Sequence, residues 1–451
     1  MEYRTFVGLV MVLDHTAEAR RILREWKGDS YVFGQGVLDN VGGLVRGFGK
    51  NTLLVCSKDV WAQKPLGIIR KSLEKSGVSS NTVLNARPNA PREDLYRIAL
   101  QVVMHRPDSI LAFGGGSTID ACKASSILAA YRSDEVSQVL GVEWHEACAI
   151  DPYFGTGRAT QMRKTIGRDI SPVVAVQTAA SSAAHLTKYS NITDPSTGQK
   201  KLIVDDAIVP RAAVFDYEMT LGVPEDLTLD GGLDGISHLW EVFMGATGTE
   251  NYEEIRHVVA TGVSLILKHL RVAREDPGNI EARTALGLGT DLGGYAIMLG
   301  GTNGPHLGSF SLVDVLTHGR ACAVLLPYYT VLFAPAIQDQ LRVFASILKE
   351  EGYAEEGIDA LEGRDLGESV ARGMINFIAS LEFPTTLKAA GTSPVHLDRM
   401  IEAAKDPQLR MKLMNMPIPL DPDAGDIESF MRPVLEAAFT GDMEKIRTLE
   451  T

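Results

Sequence analysis

One stretch, "LAFGGGSTIDACKA" at residues 111–124, most constrains the fold of this 451-residue chain. Apolar residues lead into Gly114–Gly116, and the residues that follow predict a helix. A strand that turns through glycines into a helix N-terminus can bind phosphate, because glycines let backbone N–H groups approach closely and the helix dipole attracts anions. Ser117 and Asp120 have the spacing of a capping box, which predicts where this helix begins. A tight turn with an ordinary cap remains open as an explanation, since the G-x-G-x-x-G fingerprint is absent.

The order of the predicted elements indicates two domains. Short apolar runs at 52–57, 82–86, 109–113 and 173–178 predict buried parallel strands, and helical stretches separate them. From about Asp230 the periodicity is almost entirely helical. We therefore expect an N-terminal α/β doubly wound (Rossmann-like) domain and an all-α C-terminal domain. The predicted ranges are 1–222, with a polar insertion at about 138–170, and 223–451.

Composition argues against nucleic-acid and membrane partners and favours a cytoplasmic location. The chain has a net charge of −13, and no run of Lys and Arg predicts a nucleic-acid surface. No apolar run is long enough to span a bilayer. The four cysteines contain no C-x-x-C pair, which predicts reduced core thiols. We expect a cytoplasmic protein with no nucleic-acid or membrane partner.

The helical half contains residue types that bind divalent metals. Asp234 and His238 are four residues apart in "GGLDGISHLWE", so they share one helix face. His306 follows Gly-Pro and His318 precedes Gly, both among small and apolar residues. An oxygen with imidazole nitrogens is a suitable donor set for a divalent ion. Each feature taken alone is also explained by chance spacing or by hydrogen-bonded core histidines.

The motifs together resemble those of the iron-containing (group III) alcohol dehydrogenase family and, more loosely, of the dehydroquinate synthase-like superfamily. The resemblance runs from "YVFGQG" at 31–36 to "FPTTLKAAG" at 383–391. Its most specific parts are "GGGSTIDACKA", "VPRAAVFDYEMTLGVPEDLTLDGGLDGISHLWE" and "THGRACAVLLP", which occur in the family's order.

The resemblance implies site residues and a reaction. The implied metal ligands are Asp234, His238, His306 and His318, the last two also being the implied catalytic residues. The implied contacts to an NAD or NADP cofactor are Asn89, Gly115, Gly116, Ser117, Asp120, Thr178, Thr187 and Lys201. The metal would be Fe²⁺, with Zn²⁺ or another divalent ion as alternatives. The implied reaction moves a hydride between NAD(P)(H) and a small alcohol, aldehyde or ketone, in a homodimer or larger homo-oligomer.

Other functions on the same fold stay open. A dehydroquinate synthase-like lyase would need basic residues around a phosphorylated substrate, and the helical half shows no evident Lys/Arg cluster beside the implied ligands. A hydroxyacid–oxoacid transhydrogenase and a metal-free binding protein are further alternatives.

Three positions depart from the family pattern. His185 stands where the family has a glutamate, and a capping, surface or catalytic role is open for it. Phe310 stands where the family often has a second histidine. At the tip of the second strand Ser57 and Lys58 replace an aspartate that favours NAD, which predicts that Ser57 helps to bind NADP(H) and that NADP(H) is moderately preferred. The alternative is that Asp59 binds the ribose and NAD(H) is preferred.

Overall fold

A six-stranded parallel sheet organises the N-terminal part of the chain. The computed structural model describes residues 14–131, 141, 143, 146, 148–194 and 196–450. Its strands are β1 Tyr31–Gly34, β2 Asn51–Cys56, β3 Ser79–Leu84, β4 Ser109–Gly114, β6 Val173–Gln177 and β9 Ala212–Asp216. Their order across the sheet is β1-β9-β6-β4-β2-β3. The predicted α/β doubly wound architecture is confirmed.

The predicted strand at 82–86 differs from the observed β3. This strand starts earlier, at Ser79, and lies at the edge of the sheet with five of its six residues exposed. Its first residues are polar, so apolar patterning detects only its end. By contrast, β4 and β6 lie inside the sheet and are buried throughout. Their carboxyl ends therefore form the middle of the sheet edge at which α/β proteins bind ligands.

Helices cover this sheet and connect its strands. They are α2 Val41–Arg46, α3 Val60–Lys75, α4 Arg92–His105, α5 Gly116–Ala130 and α6 Arg158–Ile166. A second sheet, ordered β5-β8-β7, contains β5 Gly155–Thr156, β7 Tyr189–Asp194 and β8 Gln199–Val204. The predicted insertion at about 138–170 lies partly outside the described residues, and its described part includes β5 and α6.

The first helix, α1 His15–Lys27, precedes the sheet in the chain but belongs with the helical core. Its buried residues Ala19, Ile22 and Leu23 pack with the residues of the C-terminal helices. Its hydrophobic face is therefore covered by the helical part of the molecule.

The C-terminal part is helical, as predicted. Its longer helices are α7 Glu225–Met244, α8 Tyr252–Glu275, α9 Ile280–Leu299, α11 His318–Leu332, α12 Gln338–Glu350, α13 Gly363–Ser380 and α14 Pro394–Ala404. The shorter ones are α10 Gly304–Ser309, α15 Arg410–Met414 and α16 Arg432–Thr440. The change from strand to helix falls between β9 and α7, and a domain boundary near residue 222 stays a prediction.

Glycines on α7 and α9 let these helices pack closely against loops of the sheet part. A Cβ atom at Gly231 would overlap the carbonyl oxygen of Ala180, and one at Gly294 would overlap the side chain of Ala183. Helix α7 is almost entirely buried as a result. Among the described residues, no helix combines the length and apolar character needed to cross a membrane.

Candidate active site

Helices α7, α10 and α11 bring the four predicted metal ligands together. Asp234 and His238 lie one turn apart on α7, so both side chains leave the same face of the helix. His306 lies on the short helix α10, and His318 is the first residue of α11. Three separate elements therefore contribute side chains to one cluster.

The cluster is centred on one carboxylate oxygen. Oδ1 of Asp234 lies 3.9 Å from Nε2 of His238, 3.6 Å from Nε2 of His306 and 3.7 Å from Nε2 of His318. The imidazole rings of His238 and His306 are stacked, with centroids 4.7 Å apart. Three imidazole nitrogens thus surround a single oxygen.

The polar atoms of this cluster fit a divalent metal. Oδ1 of Asp234 and Nε2 of His306 are buried and have no hydrogen-bond partner, which is costly for polar groups unless a ligand satisfies them. Donor atoms about 2.1 Å from a common ion lie roughly 3.4 Å apart in tetrahedral geometry. The three distances from Oδ1 of Asp234 to the imidazole nitrogens are only slightly larger, and an N₃O donor set suits Fe²⁺ or Zn²⁺.

Burial and mutual charge set the ionisation of these groups. Burial opposes the charge of Asp234, but the imidazoles of His238 and His318 together hold the pKa of its carboxyl well below the ordinary value. Burial lowers the pKa of His238 to about 4. A charged carboxylate beside a neutral imidazole is the protonation state that a divalent ion requires.

Glu241 orients His306 and was missed in the sequence. This fully buried residue lies two turns after Asp234 on α7. Its Oε1 is 2.6 Å from Nδ1 of His306, and its Oε2 accepts a hydrogen bond from the backbone N–H of Asn303. A carboxylate on the remote nitrogen fixes the tautomer that leaves Nε2 free to bind a metal. The "GGLDGISHLWE" motif ends on this glutamate, which is the signal that could have found it.

Cys322 is a second residue that sequence reasoning did not assign. It lies one turn after His318 on α11 and is buried. Ligand atoms of Asp234, His306, His318 and Cys322 all lie within 4.8 Å of one another. His238 is outside that set. Asp234, His306 and His318 therefore belong to two possible four-donor sets, completed by His238 in one and by Cys322 in the other.

The glycine turn forms the opposite side of the site. Helix α5 begins at Gly116 with Gly115 as its N-cap, and no side chain caps it. The predicted capping box is therefore wrong. Ser117 instead accepts a hydrogen bond from the backbone N–H of Asn89, at 3.0 Å, and Asp120 accepts one from Asn191. Each side chain satisfies a backbone amide of a neighbouring segment.

The space at this turn fits a phosphate group. A Cβ atom at Gly115 would meet nothing within 4 Å, whereas one at Gly116 would meet Oγ of Ser182 at 2.6 Å. An uncapped helix N-terminus that faces open space at a glycine is suited to a pyrophosphate. Gly115 and Gly116 thus lie at the turn between β4 and α5, beside Asn89 and Ser117. Their role in binding a cofactor stays a prediction.

Some of the remaining predicted cofactor residues line the cavity beside the metal ligands, and others do not. Asp120 and Thr187 line a cavity that also contains His238, His306 and His318, and Thr178 is buried directly after β6. Lys201 points away from this cavity, 3.8 Å from Asp194 and over the ring of Phe154.

The neighbouring Lys200 occupies the side of β8 that faces the site. Alternate residues of a strand point to opposite faces, and Leu202, two residues on, lines the cavity. Lys200 is buried, and its charge helps to lower the pKa of His318 after the effect of burial. Lys412, from α15, also lines the cavity. The structure thus brings two lysines to the ligands, although no basic cluster is evident in the sequence of the helical half.

The tip of β2 holds a carboxylate. The hydroxyl of Ser57 donates to Oδ2 of Asp59 at 2.7 Å and accepts a hydrogen bond from the Asp59 backbone N–H at 3.0 Å. Lys58 is exposed. The Ser57 hydroxyl is therefore already engaged, and the Asp59 position agrees with the alternative in which NAD(H) is preferred. The preference for NADP(H) stays a prediction.

The other two departures from the family pattern are buried. Nε2 of His185 lies 3.3 Å from Oδ1 of Asp291, whose Oδ2 accepts a hydrogen bond from Tyr31 at 2.5 Å. His185 is 1% exposed, so a surface role for it is wrong. Phe310 is stacked with His318, with ring centroids 6.0 Å apart, and lines the cavity.

Comparisons with known proteins agree with these features. Residues 29–217 match the family described as iron-containing alcohol dehydrogenase, and residues 228–420 match its C-terminal domain. Long-chain-alcohol dehydrogenase 1 of Geobacillus thermodenitrificans is 23% identical over 90% of this chain and 94% of the relative. The 1,3-propanediol dehydrogenase of Citrobacter freundii is 26% identical over 79% and 85%.

Solved structures share the fold. An alcohol dehydrogenase from Oenococcus oeni has a TM-score of 0.74 at 23% identity, covering 91% of this chain and 98% of that one. An archaeal alcohol dehydrogenase from a Red Sea brine pool has a TM-score of 0.75 at 19% identity, covering 91% and 97%.

Proposed function

Because the chain belongs to the iron-containing alcohol dehydrogenase family, we propose that it transfers a hydride between NAD(P)(H) and a small alcohol or carbonyl compound at this site. Asp234, His238, His306 and His318 are the proposed metal ligands. The observation that carries the proposal is the convergence of three imidazole nitrogens on the unpartnered Oδ1 of Asp234. This cluster faces a cavity whose opposite wall includes Asp120 from α5.

A metal and a nicotinamide would supply the chemistry: when bound, the ion polarises the substrate oxygen and the nicotinamide exchanges the hydride. The protein positions both. Glu241 and Ser309 hold Nδ1 of His306 and His318, at 2.6 Å and 3.0 Å, so that each Nε2 faces Asp234. The N-terminus of α5 would hold the pyrophosphate of a bound cofactor through backbone amides at Gly115.

The cavity favours a compact substrate. Its volume is about 50 Å³, which favours small substrates over bulky ones. Phe310 and Leu202 contribute apolar walls, and Thr302 contributes a hydroxyl. Since Phe310 cannot carry a proton, the proton that accompanies the hydride must move through water or another polar group at the cavity wall.

We further propose a cytoplasmic homo-oligomer with two domains that meet near residue 222. The buried, unpaired thiols of Cys56, Cys122 and Cys322 support a reducing compartment. Exposed Val60 and Trp61, at the start of α3, offer apolar surface for a subunit contact. Sedimentation of the full chain would test the oligomeric state.

Metal analysis and cofactor oxidation together test the proposed function. Protein loaded anaerobically with Fe²⁺ or Zn²⁺ should hold one ion per chain and should oxidise NADH or NADPH with small aldehydes. Metal-free protein, prepared with a chelator, should not. Stoichiometric metal without net cofactor oxidation would favour the lyase alternative, and absence of both would favour the metal-free binding protein.

A further inference from the structure

Lys412 is a buried cation with no carboxylate in direct contact. Its side chain is 3% exposed, and its Nζ donates a hydrogen bond to Oγ1 of Thr302. Within the described part of the chain, no carboxylate oxygen lies within 4.0 Å of this ammonium group. By contrast, the exposed Lys405 pairs with Glu402 and Glu428.

The ammonium group lies at the wall of the candidate active site. Lys412 lines the same cavity as His238, His306 and His318, and its Nζ is 5.6 Å from the centre of the Phe310 ring. Phe310 is in turn stacked with His318. The ring of Phe310 is therefore a neighbour of both the lysine and a proposed metal ligand.

A buried, unpaired charge is unfavourable, and folded proteins pair such charges with an opposite one. A single hydroxyl satisfies one of the three N–H donors of an ammonium group. Burial lowers the pKa of Lys412 to about 8, although the more distant carboxylate of Glu241 acts in the opposite direction, so most of the side chain is charged near pH 7. A negatively charged ligand group in the cavity would supply the missing partner.

The cofactor does not explain this charge. Its pyrophosphate is expected at Gly115, which does not line the cavity that contains Lys412. The nicotinamide end, which is expected nearest the metal ligands, has no anionic group. The remaining molecule that enters this cavity is the substrate.

We propose that the substrate carries an anionic group, a carboxylate or an equivalent oxyanion such as a sulfonate, which binds Lys412 while its alcohol or carbonyl oxygen faces Asp234 and the three histidines. This inference rests on the proposed function and specifies its substrate class. The chemistry is an ion pair with charge-assisted hydrogen bonds in a low-dielectric cavity. Lys200, buried on the β8 side, increases the positive potential around the same cavity.

Paired aldehydes of equal chain length test the substrate class. Glyoxylate is compared with acetaldehyde, and succinic semialdehyde with butanal, in metal-loaded protein. The selectivity is the kcat/KM for the anionic aldehyde divided by that for the neutral one. Wild type should favour the anionic member of at least one pair by about tenfold or more, the effect expected for one charge-assisted hydrogen bond. In Lys412→Met that selectivity should fall by about tenfold, chiefly through KM.

The matched control is Lys405→Met, which removes an exposed lysine and should leave the selectivity unchanged. Lys412→Arg keeps the charge and should retain part of the selectivity. A wild type that prefers the neutral aldehyde in both pairs would overturn the inference while leaving the proposed function intact. So would an unchanged selectivity in Lys412→Met.

A binding measurement separates this inference from the proposed function. Calorimetric titration with 4-hydroxybutyrate and with 1-butanol, without cofactor, needs no turnover. If no aldehyde is reduced, the proposed function fails. The part of the inference that assigns anion binding to Lys412 still stands if 4-hydroxybutyrate binds wild type about tenfold more tightly than it binds Lys412→Met, and it fails if the two affinities are equal.

Discussion

The two sides of the candidate active site are built from different parts of the chain. On the sheet side, the proposed phosphate site consists of backbone amides and empty space, at Gly115 and the N-terminus of α5. On the helical side, the proposed metal site consists of side chains, with Asp234 surrounded by three imidazoles and Glu241 behind them. The backbone site requires that no side chain fills the space beside the amides, whereas the side-chain site requires particular donor groups. The two sides should therefore fail in different ways when residues are replaced.

The largest effect is expected from His238→Ala, because a three-donor site binds an ion less tightly and positions it poorly. Activity should fall by about a thousandfold or more, the scale of losing a metal-assisted step. Bound metal should decrease in parallel, and circular dichroism should be unchanged. The control is His105→Ala at the end of α4. Full metal content with normal turnover would remove His238 from the ligand set and would favour the set that includes Cys322.

A slightly smaller effect is expected from Gly115→Val. The φ angle of Gly115 is −79° and a Cβ there meets no neighbour, so the free protein should fold normally. The branched side chain would instead fill the space for the pyrophosphate, and cofactor affinity should fall by about a hundredfold. The control is Gly67→Val inside α3, where an added Cβ likewise meets no neighbour. Unchanged affinity for both NADH and NADPH would show that the turn has no phosphate role.

Glu241→Gln tests whether the side-chain site depends on residues behind the ligands. The amide keeps the shape of the carboxylate but weakens its hold on Nδ1 of His306. Metal affinity should fall by about ten- to a hundredfold, while saturating metal restores much of the activity. Glu253→Gln, on the exposed surface of α8, should change neither. If Glu241→Gln bound metal as tightly as wild type, the metal site would not depend on the residue that holds Nδ1 of His306.

The smallest effect concerns cofactor choice at the tip of β2. Asp59→Asn removes a carboxylate that would repel a 2′-phosphate, and Lys58 remains nearby. The kcat/KM for NADP(H) relative to NAD(H) should rise by about tenfold, and Ser57→Asp should lower it. Glu74→Gln, at the end of α3, serves as the control. A wild type that prefers NADP(H) and does not respond to Asp59→Asn would restore the preference expected from Ser57 and Lys58.

Patterns that repeat along the chain could be read from the sequence. The alternation of strands and helices predicts the parallel sheet, and the glycines between β4 and α5 mark a sharp turn whatever surrounds them. Asp234 and His238 could be placed on one face because helix geometry is local. The proximity of His306 and His318 to that face came from the family resemblance, since packing between helices has no local signal.

The remaining differences depend on structure that lies far along the chain or on the face of a strand. The spacing of Ser117 and Asp120 fits a capping box, but the backbone amides of Asn89 and Asn191 occupy those side chains. Lys200 faces the cavity where the sequence suggests Lys201, because neighbouring residues of a strand point to opposite faces. The cofactor role of Lys201 stays a prediction. Lys412 lies more than 90 residues beyond the last predicted ligand, and nothing near it in the sequence indicates a cavity.

The glycine contacts between the helical and sheet parts restrict how this sequence can diverge. A core leucine can be exchanged for isoleucine or methionine with modest repacking. At Gly231 and Gly294 even an alanine would overlap Ala180 or Ala183, so a first substitution must coincide with a backbone shift. Homologous chains should therefore drift widely over most of the helical part while these positions stay fixed. Directed evolution of a new substrate preference should accordingly yield few accepted changes at these glycine contacts and many around the cavity wall.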